Sequence, residues 1–158
     1  MRAGMTDRIE RKLAELGLEL PAAAAPVAAY VPAVEAGGLL HISGQLPFRD
    51  GKVVTGRLGA GTTLEQGQDA AQRCALMLVA QMKAYLGSLD RVDRIVKLGV
   101  FVNSAPDFTD QPKVANGASD LMVALFGDAG RHARAAVGVA ALPLGAAVEV
   151  DAVVALGR

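Results

Sequence analysis

The segment Arg134-Ala-Ala-Val-Gly-Val-Ala-Ala-Leu-Pro-Leu-Gly-Ala-Ala-Val-Glu-Val-Asp-Ala-Val-Val154 decides how the chain is read. Two runs rich in Val and Ala flank Leu142-Pro143-Leu144-Gly145, the pattern of two strands joined by a turn. From Ala135 to Ala155 the only charged side chains are Glu149 and Asp151. Charges in so apolar a setting are costly without partners. Arg134 at the start of one strand and Glu149 in the next therefore suggest a small cleft that grips an anion and handles a proton. If the strands pair as a tight hairpin about Ala141-Leu142, Arg134 and Glu149 come opposite each other. From residue type alone, an ordinary ion pair of Arg134 with Glu149 or Asp151 is the commoner arrangement. Asp151 lies on the Glu149 face of its strand, two residues on, and is expected towards the rim.

Upstream of this segment, residues 92–102 read as a long strand and residues 113–126 contain a helix ended by Gly127. Residues 63–85 form the strongest helix signal. Thr63 and Gln66 make a capping box, Ala71, Cys74, Ala75, Leu78, Val79 and Met82 trace one apolar stripe, and Gly87 supplies the stop. Cys74 sits inside that stripe and reads as a small core residue. Residues 30–34 and 39–43 are strand candidates around Gly37-Gly38, and Asp50-Gly51 marks a turn before a short strand over 53–56. Residues 7–16 form an amphipathic helix with Ile9, Leu13 and Leu16 on one face, an Asp7-x-x-Glu10 capping box and Gly17 as stop. This helix is expected to pack as an outer accessory. Met5 is an alternative start to Met1, and an alanine-rich connector covers residues 20–26. The organisation is thus a helix and connector over 1–25 followed by one α+β domain over 26–158. The strand candidates are apolar or small on both faces. Two helices cover one face of such a sheet, so the other predicts a homo-oligomer whose sheets pack together.

The order Arg134, Val, Leu142-Pro-x-Gly145 and Val148-Glu-Val-Asp-Ala152 resembles the carboxy-terminal signature of the RidA (YjgF-type) reactive-intermediate deaminase family, also labelled endoribonuclease L-PSP. Tyr30 followed by Gly38-Leu-Leu-His-Ile-Ser-Gly-Gln-Leu-Pro47 is similar to its amino-terminal signature. The resemblance covers roughly residues 26–156, within a longer branch carrying an amino-terminal helix. It implies a chorismate-mutase-like fold, a mixed sheet with two main helices on one face, and a homotrimer with three equivalent interface sites. It also implies that Arg134 grips a substrate carboxylate and that Glu149, rather than Asp151, positions water. Ser43 and the Gly44 amide would meet the ligand, Tyr30 would be a pocket wall, and Asn116 near the start of the second helix would line the site. Ala136 stands two residues after the Arg, where the family often has a small polar or thiol residue. Ala28-Ala29 replaces the usual Gly-Pro before the Tyr. These departures leave the Arg–Glu pair intact and alter the pocket's shape.

Composition narrows the classes. The 158 residues carry 16 basic and 16 acidic side chains, which removes the electrostatic footprint of a nucleic-acid binder. The single cysteine excludes an intramolecular disulfide framework, and no apolar run reaches membrane-spanning length, so a cytoplasmic location is expected. His41 and His132 lack partners at metal-ligand spacing, and no phosphate loop or nucleophile elbow is present, so neither metal nor cofactor is expected. The expected activity is hydrolytic deamination of carboxylate-bearing imines or enamines to 2-oxo acids and ammonia. A non-catalytic metabolite-binding trimer is the alternative from another class, with an endoribonuclease third.

Overall fold

The computed structural model describes residues 7–25 and 28–157. The Met1/Met5 alternative and the end of the connector, Pro26 and Val27, lie outside the described residues. The element order is α1 (Arg8–Glu15), β1 (Ala33–Ala36), β2 (Leu39–Gln45), β3 (Phe48–Arg49), β4 (Lys52–Val53), α2 (Leu64–Leu86), β5 (Val92–Asn103), α3 (Gln111–Phe126), β6 (Ala133–Val139) and β7 (Val148–Leu156). Thr63 and Gln66 form the expected reciprocal cap, and Gly87 ends α2 with φ +78°. Gly37-Gly38 and Asp50-Gly51 form tight turns with positive φ at both positions, the geometry that two-residue hairpins require. The first of these strands begins at Ala33, leaving Tyr30 in a bend outside it. The strand expected over 53–56 is cut to the β3–β4 ribbon.

The main sheet runs β1-β2-β7-β5-β6. β5 and β6 are parallel, and every other neighbouring pair is antiparallel. The α+β class, with α2 and α3 packed on the sheet, agrees with the expectation. The hairpin does not: β6 and β7 never pair, because β5 lies between them. The chain leaves β5, crosses through α3 and returns as β6 alongside it, as parallel neighbours require. The end of β5 then holds the Leu-Pro-Leu-Gly connection in place. The Asn103 N–H donates to Ala147 O (3.0 Å), Asn103 Nδ2 donates to Ala146 O (3.2 Å), and the Ser104 N–H donates to Val139 O (3.2 Å). Residues 143–145 form a 3-10 turn passing this end.

One hydrophobic core lies between the helices and one sheet face. It joins Cys74, Leu78 and Met82 of α2 and Val114, Leu121 and Met122 of α3 to Leu98, Val100, Val148 and Val150 of the sheet. The opposite face leaves Val34 and Val137 about half exposed. Among the described residues, no helix is long and apolar enough to cross a membrane.

Helix α1 is not an outer accessory. Ile9 and Leu13 enter the main core, while Leu16, at the C-cap, remains exposed. Asp7 anchors it: Oδ1 accepts from the Glu10 N–H and Oδ2 from the Leu89 N–H, both at 2.8 Å. Lys83 Nζ approaches Asp7 at 3.4 Å and Glu10 at 3.1 Å. Burial acts to raise the Asp7 pKa, but these N–H donors and the Lys83 charge prevail and hold it below its ordinary 3.8. The ionised anchor therefore stabilises the fold above pH 3.8, and its contribution is lost as pH falls through the lowered value. Asp7→Ala, which removes the cap and strands the Leu89 N–H, is expected to cost about 1–3 kcal/mol in denaturant unfolding at pH 7.

Candidate active site

Two groups of polar side chains stand apart on the molecule. The first surrounds Glu149. On β7, Glu149 alternates with the buried Val148 and Val150 and so faces away from the helices. Opposite it, β2 carries a bulge: Ile42 pairs with Ala152, but Gln45 pairs with Val150, leaving Ser43 and Gly44 to share one partner position. The Glu149 carboxylate fits into the space over Gly44, where a Cβ would lie 2.8 Å from Glu149 Cδ. Any other residue at 44 would displace the acid. Tyr30, Ser43, Gly44 and Glu149 line one cavity of about 420 Å³. Burial, and then the Asp151 charge, push the Glu149 pKa above its ordinary 4.5. An upward shift makes the carboxylate a better proton acceptor than an ordinary glutamate. Ser43 Oγ donates to Val31 O at 3.2 Å and retains its acceptor lone pairs.

Asp151 shares this sheet face but lies mid-sheet rather than at the rim, its carboxylate against Gly99. Cys74 is fully buried, with Sγ donating to Val148 O at 3.4 Å. Its thiol pKa is raised well above the ordinary value, by burial first and by the Glu149 charge second, which suits a packing role.

The second group surrounds Arg134 on the edge strand β6. Nη1 donates to Asn116 Oδ1 (2.9 Å) and Ser119 Oγ (3.1 Å), and Nη2 donates to Pro112 O (3.3 Å). Asn116 thus lies beside Arg134. Ala136 lies on the same strand face as Arg134 and packs against the core. It does not reach the Glu149 cavity.

Ser119 and His132 were not anticipated from sequence. His132 Nδ1 lies 2.6 Å from Gly130 O, and since a carbonyl only accepts, this nitrogen carries the proton. Nε2 is then the acceptor for the Ser119 hydroxyl at 2.8 Å, which leaves Ser119 Oγ free to accept from Arg134. The chain of bonds aims the guanidinium. Its signal was the His132-x-Arg134 spacing on one strand face with Asn116-x-x-Ser119 on one helix face. A second missed pair, Gln45 and Gln81, is buried behind the bulge. Gln81 Nε2 donates to Ala24 O (2.9 Å) and to Gln45 Oε1 (3.3 Å), and Gln45 Nε2 donates to Ser43 O (2.9 Å).

Within one protomer the two groups do not meet. Arg134 aligns with Leu98 and Ala152, whereas Glu149 aligns with Phe101 and Val137. They are two strand positions apart, roughly 10 Å, and three residues apart along the strands, another roughly 10 Å. Arg134 is held from the α3 side while Glu149 faces the opposite way. The sequence expectation of an opposed hairpin pair is corrected accordingly. The expected ion pair is also absent: among the described residues, neither Arg134 nor Glu149 has a counter-charge. Nor, among those residues, do three His, Cys, Asp or Glu gather in a way that could hold a metal ion.

These features define an α+β protein of split β-α-β plan that carries an oriented cation at a sheet edge and a half-buried acid on an open sheet face. Residues 10–155 match the family model described as "YjgF/chorismate_mutase-like, putative endoribonuclease". The chain belongs to this family. It is 61% identical over 153 residues to protein TCP17 of Trypanosoma cruzi, covering 96% of each chain. It is 29% identical over 141 residues to a 2-iminobutanoate/2-iminopropanoate deaminase of Dermatophagoides farinae, covering 88% of this chain and 94% of that one. The crystal structure of Atu1372 from Agrobacterium tumefaciens superposes with a TM-score of 0.91 at 49% identity, over 98% of this chain and 96% of that one.

The Ser119–His132 bond gives a pH test. Burial first, and then the Arg134 charge, lower the His132 pKa below 6.5 despite the opposing Gly130 bond. The neutral ring therefore stabilises the fold fully above pH 6.5, and this contribution is lost as pH falls from there through the lowered value. Denaturant unfolding at pH 5 and pH 7.5 is expected to show a larger acid destabilisation in the wild type than in His132→Asn.

Proposed function

We propose that the protein hydrolyses 2-imino acids and their enamine tautomers to 2-oxo acids and ammonia, at sites shared between protomers of a homotrimer. The observation that carries this reading is the pair of uncompensated, half-buried charges held by neutral groups, Arg134 by Asn116, Ser119 and Pro112 and Glu149 by its packing on Gly44. A substrate carrying a carboxylate and a C=N carbon supplies what each lacks. The deaminase name of the Dermatophagoides farinae relative supports the same chemistry.

The guanidinium of one protomer pairs with the substrate carboxylate in a bidentate geometry. The Glu149 carboxylate of the adjacent protomer takes a proton from a water as its oxygen attacks the imine carbon. Glu149 passes that proton to nitrogen and then relays the carbinolamine's hydroxyl proton there as well, so that the C–N bond breaks as the C=O bond forms and ammonia leaves the 2-oxo acid. An enamine first accepts a proton at carbon, for which protonated Glu149 is the donor. The Gly44 amide orients the carboxylate end, and the Ser43 hydroxyl joins it by turning its proton from Val31 O to the ligand. Imines are already reactive, so placement and proton transfer supply the acceleration. The half-exposed Val34 and Val137 support a trimer whose open sheet faces are turned inward.

Arg134→Ala and Glu149→Gln should each lower kcat/KM for 2-iminopropanoate generated in situ by about 10²–10⁴-fold. Refolding the two variants together at equal amounts should restore about a quarter of wild-type activity, since one cyclic interface in four then unites an intact Arg134 with an intact Glu149. No recovery in mixed trimers would refute a shared site, and undiminished activity of both single variants would refute the chemistry.

A further inference from the structure

The Glu149 cavity draws its polar lining from Ser43, Gly44, Gln45, Glu149 and the Tyr30 hydroxyl, and the rest is apolar, including Ala24, Ala25, the Tyr30 ring, Leu46, Phe48 and Leu144. Among the described residues, no charged side chain other than Glu149 borders it.

Leu144 is held in an unusual way. Its backbone is left-handed (φ 59°, ψ 18°), a conformation that a leucine adopts only against a steric penalty. Its side chain is nevertheless 74% exposed, so packing within the protomer does not account for the strain. A second part of the lining is tied in place. Ala24 belongs to the connector after α1, and the buried Gln81 amide ties its carbonyl to the same hydrogen-bond chain that holds the Ser43–Gly44 bulge. The amino-terminal extension thus forms part of the pocket that Leu144 also lines.

We infer that this compartment receives the substrate's side chain, and that the enzyme acts on 2-imino acids with bulky apolar side chains, branched aliphatic or aromatic, in preference to the methyl-bearing one. Leu144 and the Ala24-Ala25 wall set that preference. The inference rests on the deaminase reading and deepens it. A methyl group would leave most of the compartment wet, whereas a branched or aromatic group places apolar surface against Leu144, Leu46 and Phe48 and displaces all but the attacking water from beside Glu149. A charged side chain would find no counter-charge there.

The test compares imines generated in situ from alanine, leucine, phenylalanine and glutamate by an amino-acid oxidase, with ammonia release read above the uncatalysed rate. The binding of pyruvate and 4-methyl-2-oxopentanoate to the same full-length protein is measured by calorimetry. The leucine- and phenylalanine-derived imines should show kcat/KM at least about tenfold above the alanine-derived one, with the glutamate-derived imine poorest. 4-Methyl-2-oxopentanoate should bind more tightly than pyruvate. Leu144→Gly, which keeps the turn conformation, and Ala24→Phe, which fills the space, should each reduce the leucine-to-alanine ratio about tenfold while the protein remains folded by circular dichroism. Equal kcat/KM values across side chains, or a ratio unmoved by both variants, would overturn the inference while leaving the deaminase reading intact. Hydrolysis of none of the imines would remove the deaminase reading, and the oxo-acid affinities would still report the pocket's preference. Dissociation of Leu144→Gly on size exclusion, with the ratio unchanged, would make Leu144 a contact between protomers and overturn its assigned role.

Discussion

An arginine and a glutamate, each half-buried and each without an opposite charge among the described residues, govern the rest of this structure. Ionised groups removed from water without counter-charges are held at a cost, and a protein built only for stability would pair or replace them. Here the surroundings do neither. Neutral oxygens from Asn116, Ser119 and Pro112 fix the guanidinium without neutralising it. The glycine at 44 makes room for the carboxylate without donating a side chain to it. Both arrangements hold a charge in a fixed place without neutralising it, which is the form a preorganised site takes.

The supports of these two groups are built differently. The cation is aimed by a polar chain that runs from Gly130 through His132 and Ser119, all between α3 and the start of β6. The acid is placed by the backbone: a bulge in β2, with its exposed carbonyl at Ser43 satisfied by Gln45 and, through Gln81, tied to the segment that precedes the sheet. The first support titrates, whereas the second is made of amides. As pH falls, protonation of His132 therefore acts on the Arg134 side, while Glu149 responds through its own proton.

Local features were legible in the sequence and long-range ones were not. The caps at Thr63 and Asp7, the stops at Gly17 and Gly87 and the turns at 37–38 and 50–51 each follow from residue chemistry within four positions. The gathering of Tyr30, Ser43, Gly44 and Glu149, and the contact of Asn116 with Arg134, were legible only through resemblance to a family signature. The order of strands was not legible, because β5, β6 and β7 are all rich in small and apolar residues and their spacing is compatible with more than one pairing. Nothing local says that an eight-residue link passes the end of a neighbouring strand instead of turning back. The place of α1 in the core was missed for a related reason: an amphipathic helix of eight residues states which of its faces is buried, and says nothing about the depth of the partner.

The strand that comes last in the sheet's sequence occupies a position between two that come much earlier. β2 and β5 have no border with each other, since each pairs with β7, which lies between them. Without β7 each would keep an unsatisfied strand edge, the kind of surface that seeks strands from other molecules. Completion of the sheet is a late and concerted event, with many residues between the partners it joins, which places this chain among the slower-folding topologies. The same event seats Glu149 against Gly44, so the acid acquires its environment only when the fold closes.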